Sequence, residues 1–131
     1  MQIESDILID DLIDRVNACT RKANVFERLT PEQLRVKRDH EWNILECLEH
    51  LNLYGDYYLV EIEKRILERN QPPSGKFRSG VIGNYFAKLM QVKDGKLTKM
   101  KSPQDKNPFG RDLSTSTVGR FIKQQEKLME L

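Results

Sequence analysis

Apolar residues at three- and four-residue steps recur along three long segments of this chain, and this spacing requires helices. In the first segment the steps are carried by Ile9, Leu12, Ile13, Val16, Cys19, Ala23 and Phe26. Residues three and four apart lie on one face of an α-helix, so the pattern predicts a helix over about residues 3–28. The same periodicity predicts helices over 43–69 and from 114 to the end, and a shorter one over 80–92.

Capping residues and prolines mark where these helices begin and end. In the stretch LTPEQL, Thr30 can cap a helix, Pro31 fits its first turn, and Gln33 completes a capping box. Asn43, with Glu46 three residues later, repeats this arrangement only approximately before the long helix, because the usual capping residue is Ser or Thr. That helix must end before QPPSG, because the two prolines remove backbone donors and disfavour the helical conformation. The stretch DGKLTKMKSPQDKNPFGRD is predicted to be an extended loop.

The helix predicted over 43–69 has an apolar face beside a polar and aromatic one. At about 100° per residue, the apolar face, which we expect to be the core side, comprises Ile44, Leu48, Leu51, Gly55, Leu59, Ile62 and Ile66. His50 lies away from this face, in a band with Asn43, Tyr54, Tyr57 and Glu61. Such a band can form a pocket wall where an imidazole and tyrosine hydroxyls meet a metal or ligand, or a plain half-exposed surface.

More than one interpretation of His50 is open on the pattern alone. As a boundary histidine it would hydrogen-bond Glu46 or Tyr54, one turn away. With Cys47, three residues earlier, it could share a metal, although the chain has only one further histidine, His40. The sequence contains no HExxH, no CxxC, no phosphate-binding glycine loop and no serine elbow. The residues around His50 therefore do not decide between a site and a structural role.

Length and composition predict one soluble domain in a reducing compartment. With 131 residues, 38% hydrophobic and 32% charged, the chain can bury one core, and we expect residues 1–131 to form a single domain. No apolar run approaches the ~20 residues of a membrane span, and the acidic N-terminus differs from a signal peptide. Cys19 and Cys47 are expected to be buried small apolar residues, not a disulfide framework. We therefore predict a cytoplasmic protein with no membrane partner.

The positive charge is concentrated in one part of the chain. Residues 71–112 carry nine Lys or Arg against three Asp, a local charge of +6, whereas the rest of the chain carries −4. A basic segment can attract phosphate groups or acidic partners. These cations are scattered, however, and lack the ladder of aromatic residues that stack on bases. A solvated lysine-rich loop is the simpler interpretation, and we expect no nucleic-acid partner.

The order of motifs in the first half of the chain resembles a known family. LTPEQL is followed by a tryptophan directly before the long helix, and then by ILECLEHLNLYGDYYLVEIEKRI. This order resembles the DinB-like superfamily of helical-bundle proteins, also called YfiT-like metal-dependent hydrolases. The family phrase W-S-x-x-E-x-x-x-H-L stands here as Trp42, Asn43, Glu46, His50 and Leu51. The later segment NYFAKLMQVKDGKLTKMKSP, and the helix that follows Pro108, are similar to the family's insertion and third bundle helix.

The resemblance implies an all-α fold, a DinB-like up-down four-helix bundle, with the last bundle helix missing or incomplete in this C-terminally short chain. It implies that His50 is the first of three histidine ligands to a divalent metal, commonly zinc or nickel. The other two ligands form an H-x-x-x-H pair on the final helix of the family, and this sequence has no such pair. Tyr54 and Tyr57 are the expected substrate-binding walls of the pocket. No catalytic residue is assigned.

The resemblance also implies a class of chemistry. Relatives include thiol transferases that join low-molecular-weight thiols such as bacillithiol to electrophiles, and a mycothiol-dependent isomerase. We therefore expect a metal-dependent enzyme of the thiol S-transferase or hydrolase class, with a small-molecule substrate. The alternative is a metal-free helical module of the same fold that forms a homodimer through its apolar face, because an incomplete bundle exposes core apolar surface.

Overall fold

The computed structural model describes residues 2–37, 41–69, 72, 74–90, 106–108 and 113–131. This part of the chain contains helices α1 (Ser5–Glu27), α2 (Pro31–Leu34), α3 (Ile44–Arg69), α4 (Val81–Met90) and α5 (Ser116–Glu130), and strands β1 (Gln2–Glu4) and β2 (Lys76–Arg78). The all-α prediction is confirmed, with two short strands added. No helix in the described ranges is long and apolar enough to cross a membrane. Of the loop predicted over 94–112, and of the basic segment around it, much lies outside the described residues.

Both predicted capping boxes are confirmed. At the start of α2, the Gln33 backbone N–H donates to the Thr30 hydroxyl oxygen over 3.2 Å, and the Thr30 N–H donates to the Gln33 side chain over 2.9 Å. At the start of α3, the Glu46 N–H donates to Asn43 Oδ1 over 2.7 Å, and the Asn43 N–H donates to the Glu46 carboxylate over 3.0 Å. Reciprocal bonds of this kind fix the residue at which each helix begins. The position of His50 along α3 is therefore set locally.

A short antiparallel pair of strands, not predicted from the sequence, joins the start of α1 to the chain beyond α3. Gln2 pairs with Arg78, and Glu4 with Lys76. The Ser5 N–H extends the contact by donating to the Gly75 carbonyl over 3.0 Å. Three-residue strands are too short for a periodic signal in the sequence. Their pairing places the first turn of α1 and the last turns of α3 at the same end of the molecule.

The core lies at the opposite end, where the first turns of α5 meet α1, α2 and α3. Its buried apolar residues are Ala23, Leu34, Leu45, Leu48, Val118 and Phe121. Helix α5 packs against both α1 and α3, and these two make no comparable contact with each other in the described part of the chain. The long helices therefore form a layer with α5 in the middle.

A row of polar contacts joins α3 to α5. In order along the two helices, Arg120 pairs with Glu49 and Asp56, Gln124 bonds Asn52 and Asp56, and Lys127 pairs with Glu63. The partners advance together on both helices, so α5 runs parallel to α3. In helix bundles, parallel neighbours of this kind are joined by a long crossover connection.

Gly55 allows the middle of this row to form. A side chain there would place its Cβ 1.9 Å from Gln124 Oε1. Without that side chain, the Gln124 amide reaches the α3 backbone and donates to the Asn52 carbonyl over 3.1 Å. Gly55 therefore serves the approach of a polar side chain from α5, although it was predicted as part of an apolar stripe.

The predicted core face of α3 is confirmed at Ile44 and Leu48 but is wrong at positions further along the helix. Leu51, Ile62 and Ile66 are 48%, 38% and 53% exposed, whereas Glu49 and Asn52 are buried. Helix α5 packs against one flank of the apolar stripe, whereas Leu51 and Ile62 line an open depression that is also bordered by Cys19 of α1 and by Phe121 and Leu128 of α5. The prediction of buried cysteines is also wrong, since Cys19 and Cys47 are free cysteines at residue positions that are exposed overall.

The difference in burial between two leucines of the same predicted stripe can be tested by mutation. We expect Leu48→Ala to lower the free energy of unfolding by about 2–4 kcal/mol, because Leu48 is buried in the core cluster. Leu51→Ala, the matched control on the exposed flank, should cost less than about 1 kcal/mol. Urea denaturation followed by circular dichroism measures both, and equal losses would contradict the burial pattern.

Candidate functional site

Two aromatic side chains flank His50 near the start of α3, and a third extends the cluster along the helix. Trp42, just before the helix, lies with its ring centroid 5.0 Å from that of His50, and the Tyr54 ring meets His50 edge-on, also at 5.0 Å. Tyr58 stacks on Tyr54 one turn further, with centroids 6.1 Å apart. His50 is half-buried in this cluster, so the imidazole is held by rings on both sides.

The orientation of the imidazole is fixed by a segment distant in sequence. His50 Nδ1 lies 2.8 Å from the backbone carbonyl of Lys106. A carbonyl oxygen can only accept, so Nδ1 carries the proton and, in the neutral ring, the lone pair is on Nε2. This is the arrangement in which protein carbonyls orient histidines that bind metals through the other nitrogen. His50 thus bonds Lys106, where the sequence suggested Glu46. The Glu46 carboxylate instead caps α3 and pairs with Lys37 over 3.6 Å.

The segment 106–108 is anchored on α3 next to this cluster. Pro108 is fully buried. The Lys106 ammonium lies 5.8 Å from the ring centroid of Tyr54 and 5.9 Å from that of Tyr57, within the range of cation–π attraction. The same residue therefore contacts His50 through its backbone and two tyrosines through its side chain.

The structure places the predicted site residues in one neighbourhood but at different depths. His50 and Tyr54 are in ring contact and half-buried, whereas Tyr57 is 55% exposed and meets Tyr58 edge-on at 5.1 Å. Tyr57 therefore lies at the rim. Sequence reasoning missed Lys106 as a neighbour of His50, and Tyr58 as the ring that stacks on Tyr54. The spacing of Tyr58, four residues after Tyr54, could have indicated it, while no local signal pointed to Lys106.

Cys47 is poorly suited to share a metal with His50. Desolvation of its sulfur, and secondarily the charge of Glu46, raise the pKa of the Cys47 thiol above its ordinary value. Metals and electrophiles react with the thiolate, so a raised pKa lowers the reactive fraction at neutral pH.

A complete metal site is not formed by the described residues. Within them, no three His, Cys, Asp or Glu side chains are grouped so as to hold a metal ion. His50 is a single suitable donor, and His40 lies outside the described ranges. The described donor set therefore does not fit the three-histidine centre that the resemblance implies, and no catalytic step can be derived through a metal.

Comparison with known families identifies the fold. The family model described as the DinB superfamily matches residues 14–113. The chain belongs to the DinB superfamily. This match spans most of α1, all of α2, α3 and α4, and the segment that carries Lys106. No curated protein and no solved structure matches the chain. DinB superfamily membership thus rests on the region that contains Trp42, His50 and the tyrosines.

The environment of Cys47 leads to a testable pH dependence. In a Cys19→Ser background, we expect the rate of alkylation of Cys47 by iodoacetamide to reach its half-maximum at a higher pH than for an ordinary thiol. Glu46→Gln should lower that midpoint only partly, because glutamine still accepts the capping bond but carries no charge, while desolvation remains. A midpoint at or below that of free cysteine would refute the raised pKa.

Proposed function

We propose that this chain is a metal-dependent DinB-type enzyme of the thiol S-transferase or hydrolase class, in which His50 is a ligand of a divalent zinc or nickel ion. The observation that carries the proposal is the hydrogen bond between His50 Nδ1 and the Lys106 carbonyl. It leaves Nε2 as the basic nitrogen of the neutral ring and holds the ring in one orientation, as metal-binding histidines require. Further ligands have to come from beyond the described residues.

The aromatic cluster supports a small-molecule substrate at this place. Trp42, Tyr54 and Tyr58 offer ring surface, and Tyr57 offers a hydroxyl at the rim. Pockets with mainly apolar walls and few polar groups are typical of small-ligand sites. A low-molecular-weight thiol in the cytoplasm is the proposed substrate, with Tyr54 and Tyr57 as its binding residues.

A second candidate function is a metal-free interaction module. It is favoured by the apolar residues exposed on α1, α3 and α4, among them Ile9, Ile66 and Ile82, which are 52%, 53% and 74% exposed. Exposed apolar surface on this scale is typical of proteins that associate with a partner. The two candidates differ in whether the natively purified protein carries metal through His50.

The proposed function is tested by metal analysis of three natively purified proteins. We expect stoichiometric zinc or nickel in the wild type and its loss in His50→Gln, because glutamine removes the imidazole nitrogen. Cys47→Ser, a change one turn away, should retain the metal. Melting curves check that all three fold alike, and a thiol-transfer assay with a chromogenic electrophile follows the metal.

Metal that persists in His50→Gln, or that is absent from the wild type, would reject the enzyme proposal and leave the interaction module. Loss of metal in Cys47→Ser as well would instead mean that the thiol is a ligand, contrary to its raised pKa.

A further inference from the structure

The end of the molecule opposite the core exposes apolar residues of both α1 and α3. On α1, Ile9 and Leu12 are 52% and 46% exposed, and on α3, Ile62 and Ile66 are 38% and 53% exposed. The pairing of β1 with β2 brings these two helix ends to the same place. Ile62 and Ile66 line a surface depression of about 610 Å³. The other lining residues are Glu61, Arg65 and Arg69.

The two helix ends carry opposite charge. The first turns of α1 contain Asp6, Asp10, Asp11 and Asp14, with Arg15 the one cation among residues 5–15. Arg15 forms an ion pair with Asp11, in which Nε and Oδ2 are 2.8 Å apart. The last six residues of α3, KRILER, contain three cations and one acid. This end of the molecule therefore carries an acidic apolar surface on α1 and a basic apolar surface on α3.

The charges that border the apolar residues are not neutralised within the described chain. Asp6 and Asp10 flank the Ile9 stripe of α1, and Arg65 and Arg69 flank Ile62 and Ile66 on α3, since residues three and four apart share a helix face. None of these four charged residues forms an ion pair with another described residue. Nor do α1 and α3 pack on one another to a degree comparable with their packing on α5. The acidic surface of α1 and the basic surface of α3 are therefore complementary in charge.

We propose that two copies of this chain associate through this end, with the first turns of α1 in each copy packing on the last turns of α3 in the other. A two-fold axis makes the same contact twice, which is the usual geometry of a homodimer. Asp6 and Asp10 of one copy then face Arg65 and Arg69 of the other around an apolar centre. The proposed partner is a second copy because one chain carries both the acidic surface of α1 and the basic surface of α3, and these two surfaces are complementary in charge.

This interface is distinct from the candidate metal site. Ile66 lies sixteen residues beyond His50 on the same helix, a separation of about 24 Å. The proposal gives the interaction module a defined surface, but it does not rest on the enzyme proposal. Metal content measured on the same variants therefore distinguishes failure of one proposal from failure of the other.

The test uses charge reversal on the two halves of the proposed surface. Sedimentation equilibrium should show a wild-type dimer that weakens as ionic strength rises. Arg65→Glu and Asp10→Lys should each raise the dimer dissociation constant by about tenfold or more, because each change acts at both symmetric contacts. Lys64→Glu is the matched control, with the same change of charge on the neighbouring residue, which does not line the depression. It should dimerise like the wild type.

Mixing the two weakened variants tests directly whether residue 65 of one copy faces residue 10 of the other. In a heterodimer of Arg65→Glu with Asp10→Lys, one contact joins the two new charges and the other joins the two original ones, so both are complementary. The mixture should therefore dimerise nearly as well as the wild type. Circular dichroism and metal content should remain unchanged in every variant.

Several results would overturn the proposal. A wild type that stays monomeric at all concentrations would exclude the dimer. Dimers that tolerate both reversals, or a mixture no stronger than its components, would exclude this interface. Dissociation by Phe86→Asp on the exposed face of α4, without any effect of Arg65→Glu, would assign the contact to α4 instead.

Discussion

The packing of the first turns of α5 is the interaction on which the rest of the structure depends. Val118 and Phe121 enter the core between α1 and α3, which make no comparable contact with each other. The polar row from Arg120 to Lys127 then fixes α5 along α3. Lys106, whose carbonyl orients His50, precedes α5 by ten residues, and Pro108 beside it is buried.

Sequence reasoning succeeded where the determinants are close together in the chain. The Thr30 and Asn43 capping boxes involve residues three apart, and the helix boundaries followed from them. It failed where the outcome depends on a distant partner. Leu48 and Leu51 belong to one predicted stripe, yet Leu48 is buried and Leu51 exposed, because α5 buries one flank of α3 and leaves Leu51 at an open depression beside it. Nothing within residues 43–69 indicates which flank that is.

The candidate site likewise combines a contact between residues close in sequence with one between residues far apart. His50 and Tyr54 are one helical turn apart, so their contact was predictable from spacing. The Lys106 carbonyl comes from 56 residues further along the chain, and only the folded structure reveals it. The likeness to the DinB superfamily rested on Trp42, Glu46 and His50, and the family match confirms it. Glu46 proved to be a capping residue at the start of α3.

The central position of α5 also determines which helices can unfold separately from the others. Because α1 and α3 are joined chiefly through α5, loss of α5 would remove most of the packing of both, and a partly open state of these three helices has little to stabilise it. Backbone amides in their contacting turns should therefore exchange with solvent only when the domain unfolds globally. Helix α4 buries none of its residues and can open by itself. The domain thus combines one cooperative layer with a helix of low local stability.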